Sequence, residues 1–342
     1  MRGLWKYISP FAPDQSGAAA VMYGLHGIVV ICDAGGCAGN ICGFDEPRWF
    51  GGGKCAVFSA GLRDMDAILG RDDRLVAKLE DAARQVDASF AAIIGTPVPA
   101  VIGTDYRALK RMAEKTLSLP IITVPTTGME RYDTGIEQAY DTLFRTFADP
   151  AAVPEEGTIG VIGAVPLDFM HPHDGEGIVR ALRREGWCRV VLYDHFDDIV
   201  QAGTVSRNIV ISPSGVKSAQ YLKDTFGTPY DMRYFGLESI IPEDLDCSAR
   251  ILVVHQQAAA NAMRSLLEQR GAGNVTVASW FMELPDYRRK TDILLKEEDD
   301  FCRLADTDAF DIIMGDIYFK KALSHFTGTY IDFPHFAVSG RG

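Results

Sequence analysis

The chain has 342 residues, of which 47% are hydrophobic and 23% are charged, and its formal net charge is −12. This acidic balance argues against a nucleic-acid-binding protein, because such a protein needs a basic surface to neutralise phosphates. No run of ~20 uninterrupted apolar residues is present, and the N-terminal residues lack the apolar core of a secretory signal. We therefore expect a cytoplasmic protein of two or three domains without a membrane span.

Residues 1–150 alternate short apolar runs with amphipathic helical patterns. The apolar runs are rich in β-branched residues and stop near Gly or Pro, and they are GIVVICD (27–33), AAIIGTP (91–97) and PIITVPTTG (120–128). Helical patterns such as DDRLVAKLEDAARQV separate them. This alternation predicts a parallel sheet covered by helices.

Two further units of the same kind follow in residues 151–246 and 247–342. A segment rich in Ala, Pro and acidic residues, ADPAAVPEEGT (148–158), is typical of a linker. The strands predicted beyond it span 159–166, 188–194, 208–215, 250–256, 274–281 and 311–316. We expect the tail TYIDFPHFAVSGRG to be irregular. The pattern as a whole predicts an α/β fold of three successive layers with parallel sheets.

Four of the seven cysteines fall within 24 residues in the pattern C-x4-C-x4-C-x12-C. Cys32 ends the first predicted strand, and Cys37 and Cys42 follow in a Gly-rich loop at its carboxyl end, where open α/β sheets collect ligands. A second glycine run, Gly51–Gly53, leads to Cys55. Soft thiolates in this setting favour zinc, copper(I) or an iron–sulfur centre.

The spacing alone leaves several interpretations open. Zinc sites use cysteine pairs at shorter or equal spacing, and plant-type ferredoxins share only part of this pattern. Four buried cysteines that act as small apolar residues are also compatible with it. We expect Cys32 to pack in the core, and we expect the scattered Cys188, Cys247 and Cys302 to take no part in a metal site.

Several segments, in order, resemble the nitrogenase component 1 type oxidoreductases. GLHGIVVICDAGGCAGNICGFDEPRW is similar to the family's strand that runs into a Gly-Cys loop, with Cys37 on the cysteine of that loop. FSAGLRDMDAILGRDDRLVAKLEDA, IIGTPVPAVIGTDYRAL, LPIITVPTTGMERYDTGIEQAYDTL and ISPSGVKSAQYLKDTFGTPY resemble later segments. The resemblance implies three Rossmann-like domains, iron–sulfur clusters at subunit interfaces and electrons delivered by an ATP-hydrolysing iron protein.

The chain departs from the family pattern in two places. Where the family often carries a ligand cysteine in a "TCP" motif, this sequence reads Thr96-Pro97-Val98. Where nitrogenase presents a cysteine to its large metal cofactor, the matching stretch Ser212–Gly215 has none. The chain is also short, which makes it most similar to the small homodimeric members.

The resemblance and the cysteine pattern together give the predicted site. Cys37, Cys42 and Cys55 supply thiolates to one [4Fe–4S] cluster, and sharing across a two-fold axis completes the usual four ligands. The expected partners are a second copy of the chain, an iron-protein reductase and a small-molecule substrate. The alternatives are a scaffold or carrier of a metallo-cofactor without turnover, and a small-molecule-binding protein that has lost its cluster.

The histidines and the remaining motifs say less about function than the cysteines do. There is no P-loop, so this chain is not the ATP-hydrolysing partner, and no G-x-S-x-G motif favours a hydrolase. His171 and His173 fit a solvated loop better than a metal site, although they, His195 and His255 each follow a predicted strand where protons could be transferred. His26 is expected to be a hydrogen-bonded core residue.

Overall fold

A computed structural model of the chain describes residues 5–51, 55–307 and 309–341. Gly52 and Gly53 of the second predicted glycine run lie outside the described residues. The described chain forms three parallel sheets, each built from one continuous stretch of sequence. The predicted α/β architecture with parallel sheets is confirmed.

The first sheet carries the cysteine-rich segment. Its strands are β1 Ile28–Ile31, β2 Ala56–Ser59, β3 Ala91–Ile94 and β4 Ile121–Val124, in the order β2-β1-β3-β4. Its helices are α1 Asp14–Met22, α2 Gly36–Asn40, α3 Asp64–Leu69, α4 Asp72–Ala83, α5 Pro97–Ile102, α6 Tyr106–Thr116 and α7 Tyr132–Phe147. The apolar strands β1 and β3 are buried along their whole length, as central parallel strands covered on both faces must be.

The second sheet lies in the middle of the chain. Its strands are β5 Glu155–Ile162, β6 Arg189–Val191, β7 Val205–Val210 and β8 Tyr230–Met232, in the order β6-β5-β7-β8. Its helices are α8 Asp174–Arg184, α9 Phe196–Val200 and α10 Val216–Phe226. The helix α8 packs on one face of this sheet and α10 on the other, because their buried residues belong to separate hydrophobic clusters.

The third sheet completes the chain. Its strands are β9 Arg250–Val254, β10 Asn274–Ser279, β11 Ile293–Leu294, β12 Ile312–Gly315 and β13 Thr329–Asp332, in the order β11-β10-β9-β12-β13. Its helices are α11 Gln257–Gln269, α12 Glu298–Asp306 and α13 Phe336–Ser339. The expectation of an irregular tail is wrong, because β13 pairs with β12 along the edge of the sheet and α13 follows it.

Two helices pack closely within the first unit, and a hydrophobic cluster joins this unit to the other two. A Cβ added at Gly17 in α1 would lie 1.8 Å from the Tyr132 carbonyl oxygen, and one at Gly135 in α7 would lie 1.7 Å from that of Asp14. Only glycine allows this approach of α1 and α7. One hydrophobic cluster contains residues of the first two units together with Phe281 and Phe336 of the third. No helix within the described residues is long and apolar enough to span a membrane.

Candidate functional site

Cys37 and Cys42 lie on one short helical segment at the carboxyl end of β1. Cys37 belongs to α2, and Cys42 belongs to the π-helical turn Ile41–Asp45 that continues it. Gly35 has a φ of 117°, a conformation that favours glycine, and it turns the chain from the strand into the helix. The Asp33 carboxylate accepts hydrogen bonds from the Ala38 amide at 2.8 Å and the Ser59 hydroxyl at 2.6 Å. These bonds tie the segment to the end of β2.

The outer surface of this segment is open. A Cβ added at Gly35, Gly36, Gly39 or Gly43 would meet no other described atom within 4 Å. Both thiols are half-buried rather than fully buried. The backbone around Cys37 and Cys42 can therefore approach a bulky group or a second protein chain.

The surroundings of both thiols favour their protonated form. Burial is the largest cause of the raised pKa of Cys37, and the Asp33 carboxylate adds to it. The pKa of Cys42 is raised by burial and by the Glu46 carboxylate. Because a metal binds the thiolate, metal binding here must release protons and becomes more favourable as pH rises.

The structure gives Cys55 a different environment from these two residues. Its thiol is buried, accepts a hydrogen bond from the Gly27 amide at 2.9 Å and donates one to the Met22 carbonyl oxygen at 2.8 Å. Burial raises the pKa of Cys55 to about 11. The ligand atoms of Cys37, Cys42 and Cys55 do not come together within 4.8 Å in one copy of the described chain.

The other cysteines lie apart from this segment. Cys32 is buried on the face of the first sheet that α4 and α6 cover, and burial raises its pKa to about 12. Cys188 is exposed just before β6. The thiols of Cys247 and Cys302 donate hydrogen bonds to the carbonyl oxygens of Arg270 and Ala322. No three cysteine thiols lie within 4.8 Å of one another in the described residues.

Thr96, at the "TCP" position, stands next to Cys37. Its hydroxyl lowers the pKa of the Cys37 thiol, an effect smaller than the rise caused by burial. The same hydroxyl donates a hydrogen bond to the Cys32 carbonyl oxygen at 2.8 Å. The stretch that matches the TCP motif therefore places a hydroxyl beside Cys37.

Exposed apolar side chains surround the cysteine-bearing segment. Each of the four connections that leave the carboxyl ends of β1 to β4 contributes to them. They are Phe44, Met65, Ile68, Leu69, Val98, Val101, Ile102 and Met129. We call this set the apolar edge. It holds eight of the thirteen large hydrophobic residues exposed in the described chain, and such clustering marks an interaction surface.

A second feature, absent from the sequence-based predictions, is a buried polar centre where the three units meet. The Tyr132 hydroxyl donates to Asp168 Oδ1 at 3.0 Å and lies 2.9 Å from His335 Nε2. His335 Nε2 donates to the Leu167 carbonyl oxygen at 3.0 Å, so its Nδ1 carries no proton and has no hydrogen-bond partner in the described chain. Tyr132, Asp168 and His335 are fully buried.

Neighbouring groups complete this centre. The ring of His255 stacks on that of His335 with centroids 4.2 Å apart, and burial lowers the pKa of His255 to about 4. Ser212 and Ser214 are buried and share a hydrogen bond at 2.9 Å. The stretch that corresponds to the cofactor cysteine of nitrogenase is therefore packed against protein side chains.

Asp168 should make the stability of the protein depend on pH. Burial raises its pKa to about 8, although the hydroxyls of Ser212 and Tyr132 offset part of this rise. An unfolded aspartate has a pKa of about 3.9, so the folded state keeps a proton that the unfolded state releases between those values. Stability from this group is present at low pH and is lost as pH rises towards 8. In the unmodified protein this group should lower the free energy of unfolding by about 1.4 kcal/mol per pH unit between pH 5 and 8. Asp168→Asn is expected to remove this decline, and urea unfolding at several pH values measures it.

The exposed Asp87→Asn variant is the matched control for this experiment and should follow the unmodified protein. If Asp168→Asn gave the same pH dependence as Asp87→Asn, the protonated Asp168 would be refuted.

The histidines singled out from the sequence differ in their surroundings. His171 and His173 are exposed in a loop, as the solvated-loop interpretation requires. His195 Nδ1 lies 2.8 Å from Asp194 and 3.8 Å from Asp198. His195 and Asp194 are exposed, whereas Asp198 is half-buried. The prediction for His26 is wrong, because it is exposed in the turn before β1 with a φ of 54°.

Comparison with known proteins decides the family. The sequence model of the nitrogenase component 1 type oxidoreductases matches residues 14–240, about two thirds of the chain. The chain belongs to this family. The match includes the cysteine-bearing segment, the apolar edge and most of the buried polar centre, whereas His255 and His335 lie beyond it.

Individual relatives within the family are distant. The nitrogenase iron-molybdenum cofactor biosynthesis protein NifE of Clostridium pasteurianum is 25% identical over 187 residues, which are 53% of this chain and 40% of that protein. The matched region thus spans less than half of this curated relative. The solved structure "Nitrogenase Cp1 at pH 6.5" has a TM-score of 0.73 at 11% identity, covering 97% of this chain and 87% of its own. A second structure, "Nitrogenase Cp1 at pH 5", has a TM-score of 0.64 at 15% identity, covering 98% and 78%. These two likenesses show the fold.

Proposed function

We propose that the chain is a nitrogenase-like iron–sulfur oxidoreductase subunit in which Cys37 and Cys42 hold one [4Fe–4S] cluster. The observation that supports this most is the pair of half-buried thiols on a single open segment at the carboxyl end of β1. Ligands collect at this end of strands in α/β sheets. Of the remaining cysteines, Cys32 and Cys55 are buried in the core, and the others belong to the second and third units.

The donor set fits a shared cluster better than one held by a single chain. A cubane cluster takes four thiolates, and one copy of the segment offers two. Cys55, the third predicted ligand, would have to break its hydrogen bonds to Met22 and Gly27 to join them. The proposed set is therefore Cys37 and Cys42 from each of two copies, with Cys55 left in the core.

A second copy of the chain is the proposed partner at the apolar edge. Ile68 in α3 and Val101 in α5 are each 74% exposed, and they flank the cysteine-bearing segment on neighbouring connections. Burying such side chains against a two-fold related copy would stabilise a dimer. The same contact would bring the two pairs of thiols to the axis.

The charges near the thiols indicate the kind of electron donor required. The Asp33 carboxylate acts on Cys37, and nearby negative charge opposes the addition of an electron, whereas Glu46 beside Cys42 is paired bidentately with Arg48. A cluster at this site supplies one-electron transfer at low potential. Such a site suits a strongly reducing donor, and we propose an ATP-hydrolysing iron protein, with a small molecule as the final acceptor.

A carrier role is the second candidate, and the likeness to a cofactor biosynthesis protein favours it. Against a large bound cofactor stands the buried polar centre, where Ser212, Ser214 and Asp168 are packed together without exposure to solvent. The two candidates differ in whether electrons or iron leave the protein.

Electron delivery distinguishes the reductase from the carrier. The cluster-loaded protein is mixed anaerobically with a reduced iron protein, with and without ATP, and followed by electron paramagnetic resonance. A reductase should show a reduced-cluster signal that depends on ATP while its iron content stays constant. Transfer of iron to an apo-ferredoxin without ATP-dependent reduction would instead support the carrier and contradict the reductase.

A further inference from the structure

The second unit contains a cavity of about 610 Å³ that is separate from the cysteines. It lies between α8 and the segment 233–240, and its floor includes Phe169, Ile211 and Tyr234. Sites for small ligands have volumes of about 300–1,000 Å³ and combine an apolar floor with a few polar groups. The cavity therefore has the size of a small-molecule site.

The topology of the sheet places this cavity where ligands bind in α/β proteins. Ile211 follows the last residue of β7, and Arg233 follows the last residue of β8. The neighbouring strands β5 and β7 are followed by α8 and α10, which cover opposite faces of the sheet. A crevice forms at the carboxyl ends of two strands whose connections diverge in this way.

Small residues keep the crevice open on the α8 side. A Cβ added at Gly177 would meet only the tip of Arg180, at 4.0 Å, and Ala181 lies one turn further along the same helix. Larger side chains at these two positions would fill the space. The volume of the cavity therefore depends on residues of α8 that carry little or no side chain.

The charges along α8 indicate the sign of a ligand. Arg184 lines the cavity and has no ion pair or hydrogen bond in the described chain, and Arg180 is held only by Glu176 at 3.3 Å. Arg233, by contrast, is neutralised by a bidentate ion pair with Glu185. The α8 wall thus presents the unpaired guanidinium of Arg184, with Arg180 one helical turn away in its exposed ion pair with Glu176.

Acidic groups at the cavity limit the charge that it would accept. The Asp174 carboxylate accepts a hydrogen bond from the His171 amide at 2.9 Å. Glu238 lies on the opposite wall and would repel a second anionic group. The arrangement fits a ligand with one anionic group.

We propose that this cavity binds a small organic monoanion with an apolar or aromatic body. The anionic group would lie against Arg184 and Arg180, and the body would pack on Phe169, Ile211 and Tyr234. This site does not include the cysteines, so the proposal is independent of the proposed iron–sulfur function.

The test uses a fluorescent aromatic sulfonate, anilinonaphthalenesulfonate, and its uncharged relative phenylnaphthylamine as probes of the full chain. Arg184→Gln is expected to weaken sulfonate binding about tenfold, the loss of one charge-assisted contact, and to leave the neutral probe unaffected. The control Arg183→Gln changes the neighbouring exposed arginine, which does not line the cavity, and should bind as the unmodified protein does.

A second variant guards against binding of the probes elsewhere, above all at the apolar edge. Gly177→Leu places a bulky side chain in the cavity without a backbone clash and should abolish binding of both probes, with the circular dichroism spectrum unchanged. Equal sulfonate affinities for Arg184→Gln and Arg183→Gln, or binding that persists in Gly177→Leu, would overturn the proposal.

Discussion

Cys37→Ala and Cys42→Ala are each expected to abolish stable iron binding after anaerobic reconstitution with iron and sulfide. Each substitution removes two of the four thiolates from a cluster shared by two copies, and a cubane cluster held by two cysteines lacks half of its ligands. Iron and sulfide analysis, together with the loss of the brown colour of the cluster, gives the readout. We expect iron content to fall from about four atoms per dimer to near zero.

Two further substitutions make this prediction specific. Cys188→Ala alters an exposed thiol of the second unit and should keep full iron content. Cys55→Ala should also keep iron, but it should lower the free energy of unfolding by about 1–3 kcal/mol, because it leaves the buried Gly27 amide without its hydrogen-bond partner. Iron loss in Cys188→Ala with retention in Cys37→Ala would contradict the assignment, and iron loss in Cys55→Ala would restore Cys55 to the ligand set.

Ile68→Glu or Val101→Glu is expected to dissociate the dimer. Either change places a charge in the centre of a proposed apolar contact, and burying an unpaired carboxylate costs several kcal/mol, so the dissociation constant should rise by at least about a hundredfold. Both side chains are exposed in the single chain, and the fold itself should therefore tolerate the substitutions. Sedimentation velocity at micromolar concentration measures the effect.

Val153→Glu is the matched control for these two variants. Val153 is 72% exposed, but it lies in the connection before β5 rather than at the apolar edge. It should leave the dimer intact. If all three variants sedimented as the unmodified protein does, the apolar edge would not be the dimer contact.

The sequence predicts the strands of this fold well, since buried parallel strands have an apolar, β-branched pattern that few other elements share. Runs such as 27–33 and 91–97 contain β1 and β3. Edge elements are harder to predict, because a strand such as β13 is paired on one side only and its sequence, TYID, has no continuous apolar run. His26 was misplaced for a related reason: it adjoins an apolar strand but lies in the turn before it.

The candidate site was predictable in part. The position of Cys37 and Cys42 beyond β1 follows from the glycines and from the end of the apolar run. Their helical arrangement does not, because a Gly-rich segment is a poor helix by propensity. Cys55 is close to them in sequence, yet it packs beneath α1, and only the tertiary fold decides on which side of the sheet it lies.

The buried polar centre could not be found from spacing at all. Tyr132, Asp168 and His335 belong to three different units. Tyr132 and Asp168 are 36 residues apart in the sequence. His335 is 168 residues from Leu167, the neighbour of Asp168. No local pattern links residues at such distances. The one signal in the sequence is a polar residue set among apolar ones, as in PLDF and DFPHF, and this signal is too common to decide a site.

The iron-to-protein ratio of the intact assembly tests the central claim most directly. Native mass spectrometry of the anaerobically reconstituted protein gives the number of chains and the number of iron and sulfur atoms in one measurement. We expect two chains that carry one cluster of about four irons and four sulfides. A single chain that carries a complete cluster, or a dimer that takes up no iron under these conditions, would contradict the shared cluster held by Cys37 and Cys42.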